Sequence, residues 1–133
     1  LYLRKYNPKT LKKASQLGGS TRNIRNACAH NSVFLIEWFN ELYKVENNPA
    51  GVKSLADEIG ITKEKYQYAK VNDLIALFSL LKTYGSKEVI KHYHKAGKEL
   101  LERCLRNKKY YENVPKLKEK YDVLVKLVDF LDE

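Results

Sequence analysis

Residues 22–30 are the part of this chain best equipped for chemistry. They read Arg-Asn-Ile-Arg-Asn-Ala-Cys-Ala-His. An imidazole such as that of His30 can accept and release protons near neutral pH. A guanidinium such as that of Arg25 stays charged and offers paired donors to a phosphate. The segment therefore predicts a metal-free site that acts on RNA.

RNA carries its own nucleophile, the 2′-hydroxyl group. An enzyme must take its proton, stabilise the crowded phosphorane and protonate the leaving 5′-oxygen. We expect His30 to carry the protons and Arg25 to stabilise the phosphorane. Asn26 would orient the imidazole or donate to phosphate, and Arg22 would add a further phosphate contact.

If the segment is a straight helix, the spacing of these residues determines which of their side chains can meet. Asn26 and His30 are one turn apart and share a face, and Arg22 lies one turn earlier on the same stripe. Arg25 points about 140° away from His30 and lies roughly 7.5 Å from it along the axis. Its long side chain must bend toward the imidazole, or a second subunit must bring a matching set across a two-fold axis.

Residues 25–30 also resemble a known motif. They read Arg-Asn-Ala-Cys-Ala-His, the Arg-Asn-x-x-x-His form of the HEPN ribonuclease motif. The wider stretch 24–31, followed by Phe34 and Trp38, is similar to the Abi-like (AbiD/AbiF) abortive-infection proteins of bacteria. The run 71–77 and the lysine-rich tail resemble the C-terminal half of that family.

This resemblance implies a HEPN-like helical bundle, usually dimeric, that cleaves RNA without a metal or another cofactor in phage defence or toxin systems. It places Arg25, Asn26 and His30 at the polar positions of the motif. RNA and a second copy of the chain are the implied partners, with an antitoxin or a phage trigger. Because family members are commonly longer and the chain contains no Met, we expect residues 1–133 to be one helical domain, the C-terminal part of a longer protein.

A second stretch interleaves cations with tyrosines near the C-terminus. Lysines can bind phosphates of single-stranded RNA while tyrosine rings stack on its bases. The alternative is a solvated face whose tyrosines are half-buried in the bundle. The RNA-binding residues predicted here are Arg103, Arg106, Lys108, Lys109, Tyr110 and Tyr111.

Hydrophobic periodicity predicts an all-α fold, an irregular bundle with about four principal helices plus short ones. A first short helix is predicted from Asn7-Pro8 to Gly18-Gly19. A second helix, capped by Ser20 or Thr21, is predicted to run about six turns to Val45. Later elements are a short helix at 52–59, a turn after Thr62, a central helix at 71–84, a helix opened by Ser86 and a last helix begun by Pro115.

Composition limits the function further. The net charge of +9 favours polyanionic partners whose binding weakens with salt. No apolar run is long enough to cross a membrane, and a cytoplasmic protein is expected. Cys28 and Cys104 are predicted to be buried free thiols rather than a disulfide or zinc pair. His92 and His94 point about 200° apart on a helix, so they are interpreted as surface residues rather than metal ligands.

Two other functions compete with RNA cleavage. The chain could be a non-catalytic helical module that binds RNA or another protein, in which case binding would be salt-sensitive and indifferent to His30. It could instead be a dimerisation domain of a larger defence protein with no affinity for RNA. A buried imidazole remote from any basic groove would favour the dimerisation domain.

Overall fold

The computed structural model describes residues 8–30, 34 and 36–132, and this part of the chain is built from helices without a β-strand. The prediction of an all-α fold is therefore confirmed. In this part of the chain four helices are long, and two short helices come between the first and second of them. The helices are α1 (Pro8–Ala29), α2 (Ala50–Glu58), α3 (Lys63–Tyr66), α4 (Ala69–Tyr84), α5 (Lys87–Arg106) and α6 (Pro115–Phe130).

Helix α4 is the central element, as predicted from its apolar circumference. It packs against α1, α2 and α3. Val71, Ile75 and Ala76 are completely buried. Because apolar residues cover more than one face, this helix can bury itself against several neighbours at once.

Helix α1 continues past residues 18–19, where the sequence predicted that it would end. Gly18 and Gly19 lie inside the helix, and a Cβ at either position would meet nothing within 4 Å. Glycine weakens a helix without forbidding one. Leu17 is fully buried, so packing against α4 compensates for the poor propensity of the pair. The predicted cap Asn7 lies outside the described residues.

The predicted second helix was wrong. Ser20 and Thr21 are interior residues of α1, and the chain leaves the helix after Ala29. Residues 36–49 form turns and bends, with one antiparallel bridge between Lys44 and Tyr68. Trp38 is 1% exposed, whereas Leu42 is 84% exposed. The apolar residues of this segment therefore do not share one buried face, which a continuous helix would have required.

The later elements match their predictions closely. Gly60, with φ of 69°, follows α2, and Thr62 precedes α3. The Ser86 hydroxyl accepts a hydrogen bond from the Val89 N–H at 3.3 Å, which caps α5. Pro115 is at the start of α6, where a missing N–H costs nothing.

Helices α5 and α6 pack together at a glycine. A Cβ at Gly97 would lie 2.7 Å from Cγ2 of Val128. Only a residue without a side chain allows α6 to approach α5 this closely. The pair forms a layer beside the α1–α4 core, to which α6 contributes Val123 and Leu127.

Cys28 is exposed and Cys104 is half-buried, and both are free thiols. The predicted burial of Cys28 was therefore wrong, because most of the last turn of α1 is open to solvent. Among the described residues, no helix is long and apolar enough to cross a bilayer.

Candidate functional site

The predicted catalytic residues lie at the C-terminal end of α1. Arg22, Arg25, Asn26 and His30 are all exposed. The backbone N–H of His30 donates to the carbonyl oxygen of Asn26 at 3.0 Å, so His30 lies just beyond the last helical residue. A buried imidazole would have favoured the dimerisation domain, but His30 is exposed.

The structure brings Arg25 and Asn26 together. The Arg25 Nη2 atom donates to Oδ1 of Asn26 at 2.8 Å. This contact swings the guanidinium toward the stripe that carries Asn26. Within the described residues, no hydrogen bond joins either side chain to the His30 imidazole, so the trio shares an exposed surface without forming a closed triad.

The same helix segment also carries a polar network that sequence reasoning missed. Asn23 Nδ2 donates to Oδ2 of Asp73 at 3.1 Å. Asn72 Nδ2 donates to the hydroxyl oxygen of Ser20 at 3.2 Å. These contacts connect the helix that carries the motif to the first turns of α4.

The network extends to the segment that follows the motif. Asn48 is 7% exposed, and its Nδ2 atom donates to Oδ1 of Asn72 at 2.8 Å and to the carbonyl oxygen of Tyr66 at 3.0 Å. Because buried polar groups are costly unless they are paired, these bonds specify one arrangement of α1, α4 and residues 36–49. The sequence signal was the unusual pair of polar residues Asn72-Asp73 within an apolar helix.

Asp73 is the charged member of this network. Burial raises the pKa of its carboxyl group above the ordinary value of 3.8, against the opposing effect of hydrogen bonds from Asn23, Ser20 and Asn72. The side chain is 6% exposed. It accepts a hydrogen bond from Asn23, so it helps to hold the motif helix against α4.

The structure exposes most of the predicted RNA-binding stretch but leaves one of its tyrosines half-buried. Arg103 and Arg106 are exposed at the end of α5, and Lys108–Tyr110 forms a single 3₁₀ turn. Tyr110 is 73% exposed, with the Lys109 Nζ atom 5.0 Å from the centre of its ring. Tyr111 instead turns inward and is half-buried. Five of the six side chains are therefore open to solvent.

A lysine cluster, Lys70, Lys116 and Lys120, lies beside the segment that follows the motif. The Lys70 Nζ atom donates to the carbonyl oxygen of Ile36 at 2.5 Å and lies 5.7 Å from the centre of the Phe34 ring. Desolvation lowers the pKa of Lys120, and the nearby charges of Lys70 and Lys116 lower it further. Residue spacing could not have revealed this cluster, since its members come from two different helices.

The two remaining histidines differ from one another. His92 is exposed, as predicted. His94 is half-buried, with Nδ1 3.7 Å from Oδ1 of Asp132. Its interpretation as a surface residue was wrong, because α5 turns it toward the end of α6. Among the described residues, no group of three or more His, Cys, Asp or Glu side chains is arranged to hold a metal ion.

Comparison of this chain with protein-family models, with curated proteins and with solved structures gave no match. A chemical interpretation therefore depends on the residues themselves. They provide an exposed Arg-Asn-His surface at the end of α1, a polar network that joins α1 to α4, and an exposed basic and aromatic turn after α5.

Proposed function

We propose that this chain is a metal-independent endoribonuclease domain of the HEPN type, acting in bacterial abortive infection. The observation that supports the proposal is the shared exposure of Arg25, Asn26 and His30 at one end of α1. A catalytic imidazole must reach a substrate phosphodiester, and an exposed position beyond a helix end allows this. The role in phage defence is supported by the resemblance of residues 24–31 to that family.

The proposed reaction is an internal transfer within RNA. The 2′-oxygen attacks the adjacent phosphorus as its proton passes to an imidazole. The bond from phosphorus to the 5′-oxygen breaks, and that oxygen takes a proton from an imidazolium. The products are a 2′,3′-cyclic phosphate and a 5′-hydroxyl end. Arg25 stabilises the charge that develops on the phosphorane oxygens, and Arg22 binds a neighbouring phosphate.

A second copy of the chain would complete this site. One imidazole can act as the base while its partner acts as the acid, if two α1 ends meet across a two-fold axis. The mutual bond between Arg25 and Asn26 would then keep the guanidinium on the stripe that faces the seam. A homodimer with both motifs in one cationic cleft is therefore part of the proposal.

The test is cleavage of a mixed RNA pool in the presence of EDTA. We expect His30→Ala and Arg25→Ala each to lower the rate by at least about 10²-fold, the lower range for loss of acid–base catalysis or of one charge-stabilising donor. His92→Ala is the matched control, since His92 is an exposed histidine on a different helix. Circular dichroism confirms that each variant folds.

Two results would contradict the proposal. One is cleavage by His30→Ala and Arg25→Ala at the wild-type rate. The other is cleavage that stops in EDTA and returns with a divalent ion. In cells, the wild-type chain is expected to slow the growth of its bacterial host, whereas His30→Ala is not.

A non-catalytic RNA-binding module is the second candidate. It is favoured by the exposed turn at Lys108–Tyr110 and by the lack of a hydrogen bond, within the described residues, from Arg25 or Asn26 to the His30 imidazole. This function predicts RNA binding without cleavage, unchanged by His30→Ala. Measuring binding and cleavage on the same samples separates the two candidates.

A further inference from the structure

Two half-buried lysines, Lys13 on α1 and Lys82 on α4, form no ion pair with any residue that the structure describes. A charge that is partly withdrawn from water is costly unless a group of opposite charge accompanies it. A place that brings two such charges together therefore favours an anion.

Both lysines line one small pocket, called here the lysine pocket, where α1, α2 and α4 meet the end of α6. Its volume is about 110 Å³, and its exposed surface is more polar than apolar. Polar atoms of this pocket are therefore within reach of a ligand. The lining includes Lys13, Gly51, Ser54, Glu58, Lys82 and Thr83.

The Lys13 side chain is held across the start of α2. A Cβ at Gly51 would lie 3.2 Å from Cε of Lys13, so the glycine leaves room for the stem of the lysine. The Lys13 Nζ atom donates to the Thr83 hydroxyl oxygen at 3.3 Å, and this contact is exposed. An ammonium group has three N–H donors, so donors remain on Lys13 for a ligand.

The Lys82 ammonium is held by the end of α6. Its Nζ atom donates to the carbonyl oxygens of Phe130 at 3.2 Å and Leu131 at 3.4 Å, and it lies 5.3 Å from the centre of the Phe130 ring. None of these groups carries a net charge. They fix the position of the lysine without balancing its charge.

Charge and size together indicate the class of ligand. The lining contains two lysines against one carboxylate, that of Glu58, which is exposed. A water molecule takes about 30 Å³ in the liquid, so the pocket has room for a group with four oxygen atoms but not for a nucleoside. A phosphate group meets both conditions, and its oxygens accept strong hydrogen bonds from ammonium donors.

The start of α2 adds to this preference. Gly51 is the second residue of that helix and lines the pocket, and no described side chain caps the helix. The first backbone N–H groups of a helix have no acceptor within it, and its N-terminus attracts negative charge. The field of the helix therefore reinforces that of the two lysines.

We propose that the lysine pocket binds a phosphate group, with phosphate oxygens accepting hydrogen bonds from the ammonium groups of Lys13 and Lys82. The ligand is a free phosphate ion or the terminal phosphate of an oligonucleotide, which share this chemistry. Lys13 precedes Arg25 by twelve residues on α1, about 18 Å along the helix axis. The lysine pocket is therefore separate from the Arg-Asn-His surface, and its role does not depend on RNA cleavage.

The first probe is inorganic phosphate, added to the isotope-labelled protein at constant ionic strength with chloride as the balancing ion. Amide chemical shifts measured by NMR locate binding residue by residue. We expect saturable shifts at Gly51, Ser54 and Thr83, with a dissociation constant below about 10 mM.

Two strands distinguish the sources of the phosphate. One is a short 2′-O-methyl oligonucleotide with a 5′-phosphate, and the other is the same oligonucleotide with a 5′-hydroxyl. If only the phosphorylated strand shifts the same amides, the end of a strand is a ligand. If free phosphate shifts them and neither strand does, the ligand is the free ion. Equal shifts by the two strands would overturn the inference, since a terminal phosphate would then be unnecessary.

Lys13→Gln and Lys12→Gln form a matched pair of variants. Each removes one lysine charge from α1, but Lys12 is exposed and outside the pocket. Loss of a charged donor should weaken phosphate binding at least about tenfold in Lys13→Gln. Lys12→Gln should bind phosphate like the wild type.

Thr83→Val tests the placement of the Lys13 ammonium without a change of charge. It removes the hydroxyl to which Lys13 donates, and we expect phosphate to bind about threefold to tenfold more weakly. Thr21→Val is the control, because its hydroxyl also donates to a carbonyl oxygen four residues earlier but lies outside the pocket. The dispersion of the amide signals shows that each variant folds.

Three further results would overturn the inference. They are shifts that do not saturate by about 10 mM phosphate, the same shifts with chloride alone, and equal effects within either matched pair of variants. None of them depends on catalysis. If His30→Ala cleaves RNA at the wild-type rate while phosphate still binds at Gly51 and Thr83, the ribonuclease proposal fails and the phosphate site stands.

Discussion

At the scale of single residues, Asp73 is a carboxyl group that is only 6% exposed. Its carboxylate lies beside α1, where Asn23 donates to it. Burial favours the protonated form, whereas the donors favour the charged form. The net direction is a raised pKa, so desolvation is the stronger effect. The folded protein therefore holds this proton more tightly than the unfolded chain.

The raised pKa of Asp73 determines how this residue makes stability depend on pH. With the folded pKa above 3.8, the folded state binds more protons than the unfolded state between these two values. The contribution of Asp73 to stability is fully present below pH 3.8 and is lost as the pH rises through the folded pKa. We expect Asp73→Asn to lack this component, which amounts to about 1.4 kcal/mol for each unit of pKa elevation.

The measurement is urea unfolding of the wild type and Asp73→Asn between roughly pH 3 and pH 7. The difference in free energy of unfolding, wild type minus variant, should fall as the pH rises. Asp122→Asn is the control, since it removes a carboxylate that is only half-buried and outside the network. A difference that is constant or rises with pH would contradict the assignment.

At the scale of the element, α1 has to hold the motif residues in place, although its own helix propensity is low. It must carry the motif at its end, yet Gly18 and Gly19 lie in its interior. Neither glycine has a positive φ or a close neighbour that would exclude a side chain. The glycines therefore raise the backbone entropy of the unfolded chain, and they do not improve packing in the folded protein.

We expect Gly18→Ala and Gly19→Ala each to raise the free energy of unfolding by about 0.5–1 kcal/mol, since alanine loses less backbone entropy in a helix. The comparison variant is Gly97→Ala, whose Cβ would overlap Val128 and should destabilise the protein. Thermal or urea unfolding distinguishes them. Destabilisation by alanine at position 18 or 19 would mean that α1 bends or ends there in solution.

At the scale of the whole molecule, the excess of positive charge bears on the proposed binding of RNA. The net charge is +9, and a large part of the basic and aromatic turn after α5 is open to solvent. Phosphate binding by lysine releases counterions, so affinity falls with salt.

A double variant, Lys108→Gln with Lys109→Gln, tests this dependence on salt. The logarithm of the association constant should fall less steeply with the logarithm of salt concentration, by about 0.7 for each phosphate contact removed from a single strand. Lys87→Gln with Lys91→Gln makes the same change of charge on the exposed start of α5. An equal effect of both pairs would show that general charge, rather than this turn, determines RNA binding.

Much of the architecture follows from the sequence because local signals and burial agree. The apolar residues of α4 cover most of its circumference, Ser86 caps α5, and Pro115 fits the first turn of a helix better than its interior. The motif residues were found in the same way, since Asn26 and His30 are one turn apart on any helix. Their exposure agrees with the predicted surface, and their catalytic role stays a prediction.

Tertiary contacts decided the rest. Packing of Leu17 on α4 carries α1 through two glycines, which local propensity alone would have read as an end. Trp38 enters the core from an irregular segment, although its spacing suggested a helix. The network around Asp73 and the pocket at Lys13 and Lys82 join residues far apart in the chain. Residue order cannot specify such pairs, because the free energy of burying them depends on which helices meet.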